Sequence, residues 1–282
     1  MNSRRSFLRD LALAARDVKA ATAPLAAPEP EPAPAPPSIP DDDLMRYSRQ
    51  LVLPEWSEAA QLALHRAGVL VIGAGALGSP VALYLAGAGI GRLGLVDSDV
   101  VELSNLHRQP LHFTPDIGVA KAHSAAAKLR FLNPGVVVEP YQARFSAAML
   151  EGHDLVVDCS DSFATRYAVN AACVDAGVDL VEGGVAGWQG LVMGIRPGET
   201  ACYRCAFPEA PPDAPSCADA GVLGPTAGTI GSLQALEAIK LLTGVGEPLT
   251  DAFLQADLAT HSYLRVAVTR RDDCPDCAPR TL

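Results

Sequence analysis

Two cysteine pairs, Cys202-x-x-Cys205 and Cys274-x-x-Cys277, restrict the fold of this chain more than any other feature. Each pair can turn two thiolates toward one ion. Together they supply a complete tetrahedral set of the kind that Zn²⁺ takes. To assemble it, the chain must return after a long excursion to its own earlier loop. Four sulfurs leave no position for water or substrate, which marks a structural site rather than a catalytic one. Chemistry must therefore be sought elsewhere in the sequence.

A glycine-rich segment lies upstream, at Gly73-x-Gly75-x-x-Gly78. An apolar run at 68–72 leads into it and reads as a strand. The stretch 78–85 reads as a helix, ended by Gly87 and Gly89. In that context Gly73 allows a tight turn, Gly75 lets backbone approach a phosphate, and Gly78 lets helix pack on strand. A second strand at 93–96 ends at Asp97, the interval at which an acid meets a ribose hydroxyl. A bound nucleotide is the expectation, and which nucleotide is left open.

The same alternation continues. The spacing predicts a helix at 121–132, strands at 136–139 and 155–158, a helix at 165–176 and a strand at 178–181. Near-continuous apolar strands separated by helices call for a parallel sheet covered on both faces. The later strands, 191–195, 252–256 and 263–268, read as antiparallel, with one apolar helix over 228–242 between them. The fold class is thus α/β: a Rossmann-like, doubly wound, mostly parallel sheet continuing into antiparallel strands, with a four-cysteine zinc site.

Composition narrows the partners. The chain has 282 residues, 49% hydrophobic and 19% charged, enough for one large α/β domain. A net charge of −10 disfavours nucleic acid as the main partner. No apolar stretch is long enough to span a bilayer. Of the seven cysteines, Cys159, Cys173 and Cys217 remain after the zinc set, an odd number that suits a reducing compartment. The segment Ser3-Arg4-Arg5-Ser6-Phe7-Leu8 is like a twin-arginine export signal. Arg9, Asp10, Arg16, Asp17 and Lys19 interrupt the apolar stretch that export needs, so the cytoplasm is expected. Residues 1–40, rich in Ala and Pro, are expected to be a disordered N-terminal arm, with the folded domain at 41–282.

Several polar positions could carry chemistry. Asn105 and Arg108 belong to the loop cluster Ser104-Asn105-Leu106-His107-Arg108-Gln109. Arg108 offers a planar donor fork to phosphate, and Lys121 adds a point charge at the start of the next helix. Either could instead be a solvated surface cation. Asp161, in Asp158-Cys159-Ser160-Asp161, follows a parallel strand and could hold Mg²⁺ or cap the next helix. Cys217, in a segment without apolar periodicity, could be a nucleophile or an unreactive thiol. Cys159 and Cys173 read as core residues. The histidines, His107, His112, His123 and His153 among them, form neither a metal set nor a hydrolase triad.

Together these residues resemble a known family, the ThiF/MoeB/HesA adenylyltransferases, bacterial relatives of ubiquitin-activating enzymes. The similarity runs from Arg46 to Cys277. It is carried by Arg46-Tyr47-Ser48-Arg49-Gln50, the glycine loop, Asp97 to Gln109, Lys121-Ala122, Asp158 to Asp161, Cys217-Ala218-Asp219-Ala220-Gly221, Gly231 to Ala238 and the cysteine pairs. The resemblance implies a homodimer that uses ATP and Mg²⁺ to adenylate the C-terminal Gly-Gly carboxylate of a ubiquitin-like sulfur carrier, for thiamine or molybdenum-cofactor sulfur transfer. It implies that Asp97 holds the ribose, that Asn105, Arg108 and Lys121 hold the phosphates and that Asp161 holds Mg²⁺. Arg49 would reach the neighbouring subunit's ATP site, and Cys217 matches a position that bonds the carrier in some relatives and is dispensable in others. Ser162 stands where the family often has Asn, and Val119 replaces a frequent polar residue. A rhodanese domain is not expected after Cys277, so sulfur would come from a separate donor, a cysteine desulfurase or rhodanese-like protein. Three readings compete: a relative acting on another substrate such as a modified tRNA base, a nicotinamide-dependent oxidoreductase, and a non-catalytic nucleotide-binding protein. The oxidoreductase lacks a hydride-site acid/base pair. Arg49, Arg108, Lys121 and Asp161 argue against the non-catalytic reading.

Overall fold

The computed structural model describes residues 39–210 and 221–278. The proposed arm, almost in full, and Cys217 lie outside the described residues.

One eight-stranded sheet, ordered β3-β2-β1-β4-β5-β6-β7-β8, organises the chain. Strands β1 (Gly68–Ile72), β2 (Arg92–Val96), β3 (Val137–Tyr141), β4 (Leu155–Asp158) and β5 (Asp179–Ala186) are parallel. From β5 onward, β6 (Gln189–Ile195), β7 (Ala252–Asp257) and β8 (Ser262–Ala267) pair antiparallel, as the change in pattern predicts. Pro140 is accommodated because β3 is an edge strand, where a missing N–H breaks no ladder.

Alternate residues of each central strand serve two cores. Val69 and Val71 face one with Leu85, Leu129 and Ile230, while Leu70 and Ile72 face the other with Val169, Cys173 and Met193. The first core lies under three helices: α4 (Gly78–Ala88), α5 (Lys121–Leu132) and α8 (Gly224–Thr243). The second lies under α6 (Phe163–Ala176) and the cysteine loops, the first of which holds the short α7 (Tyr203–Ala206). Among the described residues, three helices precede the sheet: α1 (Asp41–Arg46), α2 (Ser48–Leu51) and α3 (Glu58–Arg66).

Two helices outrun their expected bounds. α4 continues through Gly87 and stops only at Gly89, whose φ of 93° supplies the left-handed C-cap. α8 begins at Gly224 rather than 228, with a proline in its first turn. Close helix contact needs Gly231, where a Cβ would lie 2.5 Å from Pro80 Cγ in α4 and 2.6 Å from the carbonyl oxygen of Leu77, the residue before that helix.

The strand order reverses between β1 and β4. In an open parallel sheet, the crevice at such a switch point, beyond the carboxyl ends of the strands, is where ligands bind.

Candidate active site

A cleft of about 1020 Å³ opens at that switch point. Gly73 follows β1 with a φ of 94°, a conformation that favours glycine. Gly78 is obligatory, since a Cβ there would sit 1.8 Å from the Gly73 carbonyl oxygen. The first turn of α4 carries no acidic side chain and no side-chain cap. Its positive end therefore remains available to an anion.

Of the positions singled out from sequence, Gly73, Gly75, Asp97, Asn105, Arg108, Lys121 and Asp161 line this one cleft. Asp97 accepts hydrogen bonds from the Ala74 N–H (Oδ2, 2.8 Å) and the Asp99 N–H (Oδ1, 2.8 Å), tying the glycine loop to the end of β2. Lys121 is buried and donates to Asp99 Oδ2 at 2.9 Å, so it is a placed cation rather than a solvated one. Arg108 donates to the Ser104 carbonyl at 2.8 Å. Asn105 is buried, and its Oδ1 accepts from the Glu102 N–H at 3.1 Å, closing the turn that presents Arg108.

At the end of β4, Ser162 and not Asp161 caps α6, accepting from the Thr165 N–H at 3.1 Å. Asp161 is exposed, and among the described residues no hydrogen bond or ion pair holds its carboxylate. An oxygen donor so placed fits a hard divalent cation. Arg49 is exposed on α2 and does not line its own chain's cleft. The neighbouring Tyr47 is buried, and its hydroxyl accepts from Asn133 Nδ2 at 2.9 Å, which anchors this segment to the domain.

Some cleft residues gave no sequence signal. Arg166 is 8% exposed, lines the cleft, and donates from Nη2 to the Ser160 carbonyl at 3.0 Å. It lies over Gly184, where a Cβ would meet Nη1 at 2.9 Å. Below it two carboxylates, Asp158 and Glu182, are register partners on β4 and β5, both fully buried. Burial raises both pKa values, that of Glu182 well above the usual range. Cys159 borders the cleft as a buried thiol whose pKa burial raises well above normal, so it is a poor nucleophile, whereas Cys173 is a core residue. A glutamate inside an apolar strand could have signalled the buried cluster. Nothing local marks Arg166, which acts through a fold contact.

The four cysteines converge away from the cleft. Their sulfurs all lie within 4.8 Å of one another. Individual separations are 3.9 Å (Cys202–Cys205), 3.6 Å (Cys202–Cys274) and 3.4 Å (Cys205–Cys277). A tetrahedron of thiolates at a Zn–S distance of about 2.3 Å has edges of ~3.8 Å, so the set fits zinc. α6 bridges both loops: Asn170 Oδ1 accepts from the Tyr203 N–H at 2.9 Å, and its Nδ2 donates to Asp276 at 2.7 Å.

The model of the ThiF family matches residues 47–276, which include the glycine loop, the cleft and all but the last of the four cysteines. The chain belongs to the ThiF family. Among its ThiF relatives, the adenylyltransferase and sulfurtransferase MOCS3 of Sus scrofa is 46% identical over 250 residues, 86% of this chain and 55% of that protein. The sulfur carrier protein adenylyltransferase of Thermus thermophilus is 46% identical over 247 residues, 84% of this chain and 91% of its own length. This ThiF-family chain thus spans about half the length of the MOCS3 relatives it matches. Among solved structures, Escherichia coli MccB shares the fold with a TM-score of 0.75 at 24% identity, covering 84% of this chain and 73% of its own. Among the described residues, no helix is long and apolar enough to cross a membrane.

Proposed function

We propose that this chain is an ATP-dependent adenylyltransferase acting on the C-terminal Gly-Gly carboxylate of a ubiquitin-like sulfur carrier. One observation carries the reading: the glycine loop, Arg108, Lys121 and Asp161, widely separated in sequence, line a single cleft. The printed names of the MOCS3 and Thermus relatives support it.

In this reading a carboxylate oxygen of the carrier attacks the α-phosphorus of ATP. The bond from that phosphorus to the bridging oxygen breaks, and pyrophosphate leaves with its electron pair. The product acyl-adenylate has the leaving group that a bare carboxylate lacks. Arg108 and Lys121 hold phosphate charge that grows on the departing pyrophosphate, and the N-terminus of α4, with no acidic side chain in its first turn, favours phosphate through the helix dipole. Asp97 meets the ribose, and Asp161 holds Mg²⁺. When bound, that ion offsets phosphate charge. Asn105 fixes the turn carrying Arg108.

The chain acts as a homodimer in which Arg49 reaches the partner's nucleotide. In support, Arg49 is exposed among the exposed apolar side chains of Met45, Val52 and Leu53. Sulfur comes from a separate donor, a cysteine desulfurase or a rhodanese-like protein, in the cytoplasm. Zn²⁺ occupies the four cysteines in a structural role. Residues 1–40 are an appended arm, and a role for Cys217 in bonding the carrier is part of the proposal.

ATP–pyrophosphate exchange tests the reading, with candidate carriers added one at a time. Exchange that depends on a carrier ending in Gly-Gly supports it. No exchange with any carrier, together with turnover of NAD(H), sinks it.

A further inference from the structure

The glycine loop is gripped from two sides. The Ala74 N–H donates to Asp97, and the Ala74 carbonyl faces His112 Nε2 at 2.8 Å. His112 is 3% exposed and does not line the cleft. A carbonyl only accepts, so Nε2 carries the ring proton and Nδ1 must accept. Its partner is the Ser124 hydroxyl, 2.9 Å away on α5. Ser124 Oγ accepts in turn from Lys128 Nζ at 2.7 Å, and Lys128 is paired with Asp116. The Nε2–H of His112 thus donates to the loop carbonyl, while Ser124 and Lys128 tie the other side of the ring to α5.

The carbonyl of Ala74 and the N–H of Gly75 share one planar trans peptide and point opposite ways. Holding the carbonyl toward His112 turns the Gly75 N–H away from it. Gly75 lines the cleft, and its N–H has no protein acceptor among the described residues. The charged groups acting on the ring are Lys128 and Lys121 of α5 and Asp116 before it. Burial lowers the pKa of His112, in keeping with a neutral ring that holds one tautomer.

We propose that His112 is a positioning residue for the nucleotide: its Nε2–H fixes the Ala74–Gly75 peptide plane and aims the Gly75 N–H at a phosphate. The proposal deepens the reading of this cleft as an ATP site and rests on it.

The experiment is calorimetric titration of the full-length protein with MgATP, with a thermal melt of each variant. Wild type binding no ATP would overturn the function reading and this one with it. If wild type binds, His112→Leu is expected to weaken binding about tenfold, the weight of one lost hydrogen bond. His112→Gln places an amide donor near the same carbonyl and is expected to recover binding to within about threefold of wild type. A role in folding alone would lower the melts without separating the two variants in affinity. The proposal is overturned if His112→Leu binds like wild type, or if His112→Gln is as weak as His112→Leu. Should His112→Leu fail to fold, Ser124→Ala keeps the ring but removes the hydroxyl that bonds its Nδ1. That variant is expected to bind about threefold more weakly, and unchanged binding overturns the proposal.

Discussion

Asp161 stands one residue before the cap of α6, and this offset separates its role from stability. Ser162 already satisfies the helix N-terminus, so removing the Asp161 carboxylate strips no cap and opens no cavity. Asp161→Ala is therefore expected to keep its melting temperature within about 2 °C of wild type, as exposed substitutions do. Exchange should fall at least ~100-fold if the residue holds the ion that offsets phosphate charge. Substantial remaining exchange would take Asp161 out of that role. Gly78 gives the opposite case. A methyl there lands 1.8 Å from the Gly73 carbonyl oxygen, and backbone cannot yield as a side-chain tip does. Gly78→Ala is expected to lower stability by roughly 1–3 kcal/mol through overpacking and to weaken nucleotide binding with it, read by urea melts and titration. The positions of residues like these were legible in the sequence because they depend on local geometry: a turn, a strand end, a helix start. His112 and Arg166 were not. Their partners, Ala74 and the Ser160 carbonyl, are backbone atoms brought close by folding, and backbone acceptors leave no mark in a sequence.

Between elements, the β4–β5 pairing sets two carboxylates side by side with one guanidinium above them. Register puts Asp158 opposite Glu182, and neither oxygen of Glu182 has a hydrogen-bond partner among the described residues. Burial, the largest cause, raises the pKa of Glu182 well above the ordinary value, and the Asp158 charge adds to it. A raised folded-state pKa means that the native protein binds more protons than the unfolded chain between the two values. The resulting stability is full below the unfolded glutamate pKa and is lost as pH rises through the folded one, at up to ~1.4 kcal/mol per pH unit. Glu182→Gln removes that titration. Urea melts from pH 5 to pH 8 should show the variant gaining on wild type as pH rises. A difference that stays flat with pH would mean that Glu182 is already ionised in the fold. Arg166→Ala is expected to cost about 1–3 kcal/mol, since it leaves the Ser160 carbonyl without its donor and removes the positive charge that acts on Asp158 and Glu182. The strands themselves were readable from their apolar runs. The ion cluster was not, because cross-strand register depends on the whole sheet.

Across the whole molecule, the four cysteines join parts that the sheet alone leaves apart. Cys202 and Cys205 follow β6, whereas Cys274 and Cys277 follow β8 at the far edge strand. The clip and Asn170 pin both loops to α6, on the sheet face with Leu70 and Met193, and no cysteine of the set lines the cleft. The parallel-to-antiparallel change and this clip were legible because thiol spacing and strand pattern are written locally. The extents of α4 and α8 were less so, because Gly87 and Gly228 are tolerated inside helices that tertiary packing supports. If zinc is structural here, its binding free energy is folding free energy, and closing so long a loop restricts the unfolded chain. Metal analysis should find one zinc per chain. Removing it with a chelator should lower the melting temperature by about 10 °C or more, given that structural zinc contributes ~10 kcal/mol or more to small metal-dependent folds. At a temperature where the stripped protein remains folded, exchange per folded molecule should stay within about twofold of the zinc-bound form, because a closed four-thiolate site offers no position to substrate. Exchange that collapses while the melt is unchanged would instead make the clip part of the catalytic machinery, and its separation from the cleft would then need a conformational link through α6.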